Sequence, residues 1–177
     1  MIINLYDIIS VAGKQQQVDV DIKDLQGDFG GEMLKISTKE PFTLTLNHAD
    51  KDTLIIKGDV SLDVTRVCSR CLEEIQCEYN LSISRTVDTA KNVDYTDDPS
   101  EADEISYIED CNLDVDRLVL DELYTVIPMN VICKDDCLGI CKVCGTNLNK
   151  SSCNCDQTVP DPRMAVFSDI FNQFKEV

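Results

Sequence analysis

At 177 residues, 43% hydrophobic and 28% charged, the chain has the composition of a globular protein with room for one ordinary domain and a small appended module. No stretch approaches the roughly 20 apolar residues of a membrane helix, and the start, Met1-Ile2-Ile3-Asn4-Leu5-Tyr6-Asp7, carries neither a secretory nor an Arg-rich transit pattern, so a cytoplasmic protein is expected. The net charge of −17, from 33 acidic against 16 basic residues, argues against binding free nucleic acid, whose affinity depends on cations neutralising phosphates, and suits either attraction to a basic protein or simple solubility.

Residues 1–87 read as an antiparallel β domain. Val18, Val20 and Ile22 alternate with polar residues, as do Phe42, Leu44 and Leu46, and then Leu54, Ile56, Val60, Leu62 and Val64, the period of strands buried on one face. The alternation breaks at Cys68-Ser69-Arg70-Cys71 and resumes at Ile75, Cys77, Tyr79, Leu81 and Ile83. That pattern predicts two antiparallel strands with the cysteine pair on the turn between them. Residues 88–110 hold nine acidic residues and one basic one, Lys91, and read as a mobile acidic loop, with a short strand at Ile105-Ser106-Tyr107-Ile108.

Residues 111–132 complete the main domain with a helix. Asp114 is its expected cap, Val115, Leu118, Val119, Leu123 and Val126 form its apolar stripe, and Pro128 ends it. Residues 133–158 are a Cys-rich module, and residues 159–177 a C-terminal helix opened by Asp161-Pro162. Val166, Phe167, Ile170, Phe171 and Phe174 give that helix an apolar face. The fold class expected is therefore α+β, a mostly antiparallel β-sheet domain with two helices and a Cys-rich zinc module.

The chemistry lies in the cysteines. Six of the ten, Cys133, Cys137, Cys141, Cys144, Cys153 and Cys155, stand within 23 residues among turn formers. In a reducing compartment such clusters are metal ligands or redox groups rather than disulfides. A C-x-x-C turn brings two sulfurs onto one ion, and zinc takes four in a tetrahedron. Cys141-Lys142-Val143-Cys144-Gly145 has that form, with Gly145 free to take a positive φ. Adding Cys68 and Cys71 gives eight thiols, enough for one or two zinc ions. The most economical partition puts Cys141, Cys144, Cys153 and Cys155 in a local site and Cys68, Cys71, Cys133 and Cys137 in a long-range one that ties the module to the sheet. An iron–sulfur cluster uses the same ligand number. A thioredoxin-like pair would need a C-x-x-C opening a helix after a strand, which Cys68 and Cys71 do not offer. Cys77 fits the buried face of its strand, and Cys111 has no assigned role.

No catalytic constellation is assembled. His48, the single histidine, is expected at the surface, and GxxxxGK[ST], GxGxxG and HExxH patterns are absent. A zinc held by four cysteines has no open position for water or substrate.

Three groups of residues carry a family resemblance: Cys68-Ser69-Arg70-Cys71-Leu72-Glu73, the run from Cys137 through Cys144-Gly145-Thr146-Asn147-Leu148-Asn149, and Cys153-Asn154-Cys155 with Asp161-Pro162-Arg163. The chain resembles the YceD family, whose pattern reads G-L-C-P-x-C-G-x-N-L-N; Ile140 and Lys142 depart from it without touching a candidate ligand. The resemblance implies a role in accumulation of large-subunit ribosomal RNA and hence in ribosome biogenesis. With the acidic charge it suggests a non-enzymatic factor that holds a basic ribosomal protein or a ribosome-assembly intermediate; Phe171 and Phe174 either offer that partner apolar contact or pack on the sheet as core. Two alternatives stand beside it: a zinc- or thiol-dependent enzyme of ribosomal RNA processing, and a structural adaptor without an RNA role.

Overall fold

The computed structural model describes residues 1–50, 52–90, 93–95, 102–104 and 107–155. They divide into two compact units, Met1–Val67 with Glu74–Val131, and Cys68–Glu73 with the chain from Ile132 onward.

In the first unit the chain begins with β1 (Ile2–Asn4) and the one-turn helix α1 (Tyr6–Ile9), then runs through β2 (Gln15–Val20), β3 (Leu25–Phe29), β4 (Glu32–Thr38), β5 (Phe42–Asp50), β6 (Thr53–Val67) and β7 (Glu74–Asp88). Short strands β8 (Val93–Tyr95), β9 (Ala102–Glu104), β10 (Ile108–Glu109) and β11 (Asn112–Asp114) lead to α2 (Val115–Val126). Every pairing among the described residues is antiparallel. The eight-stranded sheet runs β2-β5-β6-β7-β8-β9, with the β3–β4 hairpin joined through β4 to β6, and β1-β11-β10 form a separate three-stranded sheet. The fold class is the expected α+β with a mostly antiparallel sheet.

The 15-residue strand β6 organises the unit. It pairs along its length with β7, from Thr53↔Asp88 to Val67↔Glu74. Its other edge is shared by β5, beside Thr53–Lys57, and β4, beside Leu62–Thr65. Leu54, Ile56, Val60, Leu62 and Val64 point to one face and are buried, as their period of two requires. They meet Leu34, Leu44, Leu46 and Ile83 in one core, which also takes in Leu118, Val119 and Leu123 of α2. The helix passes over Gly27, where a Cβ would stand 2.6 Å from Tyr124 Oη and 2.7 Å from Leu120 Cδ2, and Phe29 stacks on Tyr124 with ring centroids 5.6 Å apart.

Asp114 caps α2 as expected, its carboxylate accepting from the N–H groups of Asp116 and Arg117 at 3.1 and 3.4 Å. Ile127 turns extended, the conformation forced on a residue before proline.

Several expectations are corrected. His48 is buried: it continues the inward phase of Phe42, Leu44 and Leu46, and its Nδ1 donates to the Val11 carbonyl at 3.1 Å. Val126, assigned to the apolar stripe of α2, is exposed, whereas its other four members are buried. Cys77 is only half-buried. The stretch read as an acidic loop contains β8 and β9, which extend the sheet beyond β7. Residues 91–92, 96–101 and 105–106 of that stretch lie outside the described residues, as do the expected C-terminal helix at 159–177 with Phe171 and Phe174, and the end of the Cys-rich module at 156–158. The two helices among the described residues are α1, which four residues are too short to announce by periodicity, and α2.

Arg66 continues the buried face of β6 beyond Val64 and is 2% exposed. Its guanidinium donates to Glu32 Oε2 at 2.8 Å and to the Pro128 carbonyl at 2.6 Å, and lies 5.6 Å from the Phe29 ring centroid. The other carboxylate oxygen of Glu32 accepts from Val67 N–H. A buried cation is tolerated because its charge and most of its donors are met.

Candidate metal centres

All eight clustered cysteines fall in the second unit. Its first stretch, Cys68–Glu73, is the turn between β6 and β7. Cys68 N–H donates to the Glu73 carbonyl at 2.9 Å and Leu72 N–H to the Cys68 carbonyl at 3.0 Å. Leu72 sits at φ +61°, a left-handed conformation that costs a non-glycine residue about 1 kcal/mol. This tight loop encloses Cys68 and Cys71, which are 0% and 4% exposed.

Cys133 and Cys137 come from the second stretch, on a turn in which Cys137 N–H donates to the Lys134 carbonyl. The four Sγ atoms of Cys68, Cys71, Cys133 and Cys137 lie within 4.8 Å of one another. Cys68 and Cys137 are 3.9 Å apart at sulfur, and Cys71 and Cys133 are 3.6 Å apart. A disulfide would need about 2.05 Å, whereas sulfurs at about 2.3 Å from a tetrahedral ion stand about 3.8 Å from each other. The separations at Cys68–Cys137 and Cys71–Cys133 match the second case.

Cys141, Cys144, Cys153 and Cys155 form the other quartet, again with all four sulfurs within 4.8 Å. Cys141 to Gly145 make a compact knuckle. Gly145 N–H donates to the Cys141 carbonyl at 2.9 Å, Cys141 N–H to the Thr146 carbonyl at 2.8 Å, and Val143 N–H to Cys141 Sγ at 3.4 Å. Gly145 takes the predicted positive φ, +72°. This quartet is the more open one, with Cys144 exposed and Cys153 and Cys155 half-buried.

Electrostatics divides each quartet in the same way. Burial opposes ionisation of Cys68, but the N–H groups of Cys71, Arg70 and Cys133 outweigh it and lower the thiol to about 6. Cys137 is lowered too: burial is outweighed by the Asn149 amide and the Gly139 N–H. Desolvation and then the adjacent Cys137, Cys71 and Cys68 push Cys133 up to about 12. In the other quartet the Thr146 hydroxyl and N–H lower Cys144 to about 6, the N–H groups of Cys144 and Val143 lower Cys141, and Cys144 itself, with desolvation, pushes Cys155 up to about 12. Donors prepare part of each quartet as thiolate, and mutual repulsion keeps the rest protonated without a cation. The donor set and spacing fit a four-coordinate metal ion, and either quartet can hold one.

Side chains between the ligands complete the module. Arg70 Nη1 donates to the Cys137 carbonyl at 3.2 Å, and Gly139, at φ +76°, passes so close to the Arg70 carbonyl that a Cβ would stand 3.0 Å from it. Asn149 Nδ2 donates to Cys137 Sγ at 3.4 Å while its Oδ1 accepts from Leu138 N–H at 2.9 Å. Asn147 Nδ2 and Lys150 Nζ both reach the Glu73 carboxylate, at 3.1 and 2.6 Å. These contacts escape sequence reasoning that stops at sulfur, although Arg70, Glu73, Asn147 and Asn149 all stand within the motifs quoted above. Cys77 and Cys111 join neither quartet, and among the described residues no third group of metal-ligating side chains converges.

A family model described as large ribosomal RNA subunit accumulation protein YceD matches residues 56–171, a span that contains both quartets. Among curated proteins, an uncharacterized protein of Mycobacterium tuberculosis is 24% identical over 112 residues, 63% of this chain and 53% of the relative. A Mycobacterium leprae protein is likewise 24% identical, over 67% of this chain and 54% of its own length. An Arabidopsis thaliana protein named large ribosomal RNA subunit accumulation protein YCED homolog 1, chloroplastic, is 28% identical over 64 residues, 36% of this chain and 20% of that protein. The chain thus spans about half the length of the first relatives it matches. No solved structure matches it significantly.

Proposed function

The chain belongs to the YceD family of large ribosomal RNA subunit accumulation proteins, and from that premise we propose that it is a non-catalytic zinc-binding factor of ribosome biogenesis. It works in the cytoplasm by holding a basic ribosomal protein or an assembly intermediate. Zinc would be held by Cys68, Cys71, Cys133 and Cys137 and by Cys141, Cys144, Cys153 and Cys155. It would supply cross-linking of the chain and neutralisation of thiolate charge, without redox chemistry. The observation that carries this reading is the convergence of four sulfurs in each quartet. Four protein ligands around one ion leave no position for a reacting water, which is the arrangement of a structural rather than a catalytic site.

The partner is read from charge. The first unit has 26 acidic against 10 basic residues, whereas the described part of the second has three against four. A basic ligand is therefore attracted to the sheet unit rather than to the cysteine module. Phe171 and Phe174, which lie outside the described residues, are the candidates for added apolar contact. No helix among the described residues is long and apolar enough to cross a membrane.

Affinity capture from growing cells, with protein and RNA in the eluate identified, tests the proposal. A basic large-subunit protein should be recovered, and its association should slow as salt rises and the Debye length falls to about 8 Å at physiological strength. Depleting the chain should lower large-subunit ribosomal RNA. Unchanged RNA, or binding of protein-free RNA as tight as that of any protein, would overturn the reading.

A further inference from the structure

Resting on the reading that both quartets hold zinc, we propose that Asn149 couples them. Filling the quartet of Cys141, Cys144, Cys153 and Cys155 tightens zinc binding at Cys68, Cys71, Cys133 and Cys137 through this side chain.

Asn149 belongs by sequence to one site and by contact to the other. It lies in the segment 145–152, which becomes a closed loop once Cys144 and Cys153 share an ion. The loop has a set shape: Asn147 Oδ1 accepts from Asn149 N–H at 3.0 Å, the Asn147 carbonyl from the N–H groups of Lys150 and Ser151 at 3.1 Å, and the Gly139 carbonyl from Leu148 N–H at 2.9 Å. The Asn149 side chain then reaches out of that loop. Its amide donates to Cys137 Sγ at 3.4 Å as well as to Asn147 Oδ1 within the loop at 3.0 Å, and its carbonyl holds the N–H of the residue that follows Cys137. One side chain therefore sets both the charge environment and the backbone of a ligand in the neighbouring quartet.

A hydrogen bond to a thiolate is charge-assisted and favours the metal-bound form over the protonated one. Its strength depends on the donor being held in place. With Cys144 and Cys153 sharing an ion, the ordering of 145–152 is already achieved when Cys137 binds metal. Without that ion, Cys137 can recruit the amide only by ordering the loop, at an entropic cost. The coupling is reciprocal, as binding linkage requires. Glu73 offers a second link to the same loop through Asn147 and Lys150, but the Lys150–Glu73 pair is 66% and 43% exposed and is weakened by solvent. The Asn149 contact is made to a ligand sulfur itself.

The test is a double-mutant cycle of Cys144→Ser and Asn149→Asp on the reduced, metal-stripped full chain, titrated with chelator-buffered zinc. The amide signals of Gly139 and Gly145 report the two quartets separately. Asn149→Asp keeps the acceptor for Leu138 N–H and removes the donor to Cys137, together with the bond to Asn147 Oδ1 inside the loop, whose backbone bonds it leaves in place. In the wild-type background Cys144→Ser should weaken zinc binding reported by Gly139 about 10-fold, the lower end of the range for residues supporting a metal ligand. In the Asn149→Asp background the same substitution should weaken it less than about 2-fold. An equal loss in both backgrounds, or none in the wild type, overturns the coupling and leaves the zinc reading standing. Zinc uptake at neither reporter overturns both. Should Cys144→Ser abolish binding at Gly139 altogether, the single variant decides: one joint transition at both reporters in the wild type must split into two in Asn149→Asp, and an unsplit transition counts against the proposal.

Discussion

The two units of this chain are held together by different physics. The sheet unit buries Leu34, Leu44, Leu46, Leu54, Ile56, Leu62 and Ile83 to 2% exposure or less, and β6 anchors neighbours on both edges. The cysteine module buries little besides Cys68, Cys71, Cys137 and Cys141, while Leu72, Leu138 and Val143 are each at least 60% exposed. An apolar core of ordinary size supports one unit; the other has no such core among its described residues and brings its sulfurs together instead. The contrast teaches that stability in this chain is divided, so that one unit can be undone while the other survives.

Metal removal should expose that division most sharply. A structural zinc site contributes on the order of 10 kcal/mol to the fold of a small module, so chelation, or Cys71→Ser with Cys144→Ser, should bring the amides of 132–155 to near-complete exchange. Those of β6 and β7 should keep their protection. Hydrogen exchange read by mass spectrometry checks this, and equal loss in the two units would contradict the division.

The next effect acts on the sheet unit. Arg66→Met strands the Glu32 carboxylate and should cost about 2 to 4 kcal/mol in urea unfolding, without changing zinc content. The same pair predicts a pH dependence. Burial tends to raise Glu32, but the Arg66 hydrogen bond, the Val67 N–H and the Arg66 charge outweigh it, and the carboxyl lies below its ordinary 4.5. A depressed folded-state value stabilises the fold above about 4.5, and that contribution is lost as pH falls through the lower, folded value. Glu32→Gln should flatten this part of the acid limb. The smallest expected change is Asp114→Ala, which removes the α2 cap and should cost about 1 kcal/mol, again with both quartets intact.

The same division explains what the sequence made legible. The long strands announce themselves because Leu54 to Val64 alternate with one face buried, and Ile75 to Ile83 with one face half-buried to buried. The cysteine turn between them is marked by the interruption. His48 was hidden by chemistry: it sits in phase with a buried apolar series, and only its polarity suggested the surface. Arg66 is likewise in phase with a buried series, and nothing in the sequence marks its pairing with Glu32. The strands at Ile2–Asn4, Ile108–Glu109 and Asn112–Asp114 are too short to show a period, and Gly27-Asp28 disguises β3 as a turn. In the module, the C-x-x-C pairs Cys68/Cys71 and Cys141/Cys144 mark half of the sulfurs that meet, and the density of cysteines in 133–155 marks the rest. The roles of Asn147 and Asn149 depend on which backbone and sulfur atoms the folded loops bring within reach, which spacing does not encode.

The central claim is that two sulfur quartets, each holding zinc, support the cysteine module. Native mass spectrometry of protein purified under reducing conditions, paired with elemental analysis, tests it most directly. The account predicts two zinc ions per chain, with one lost in Cys71→Ser and the other in Cys144→Ser. Metal-free protein whose ten cysteines all titrate freely, while the amides of 132–155 stay protected from exchange, would contradict it.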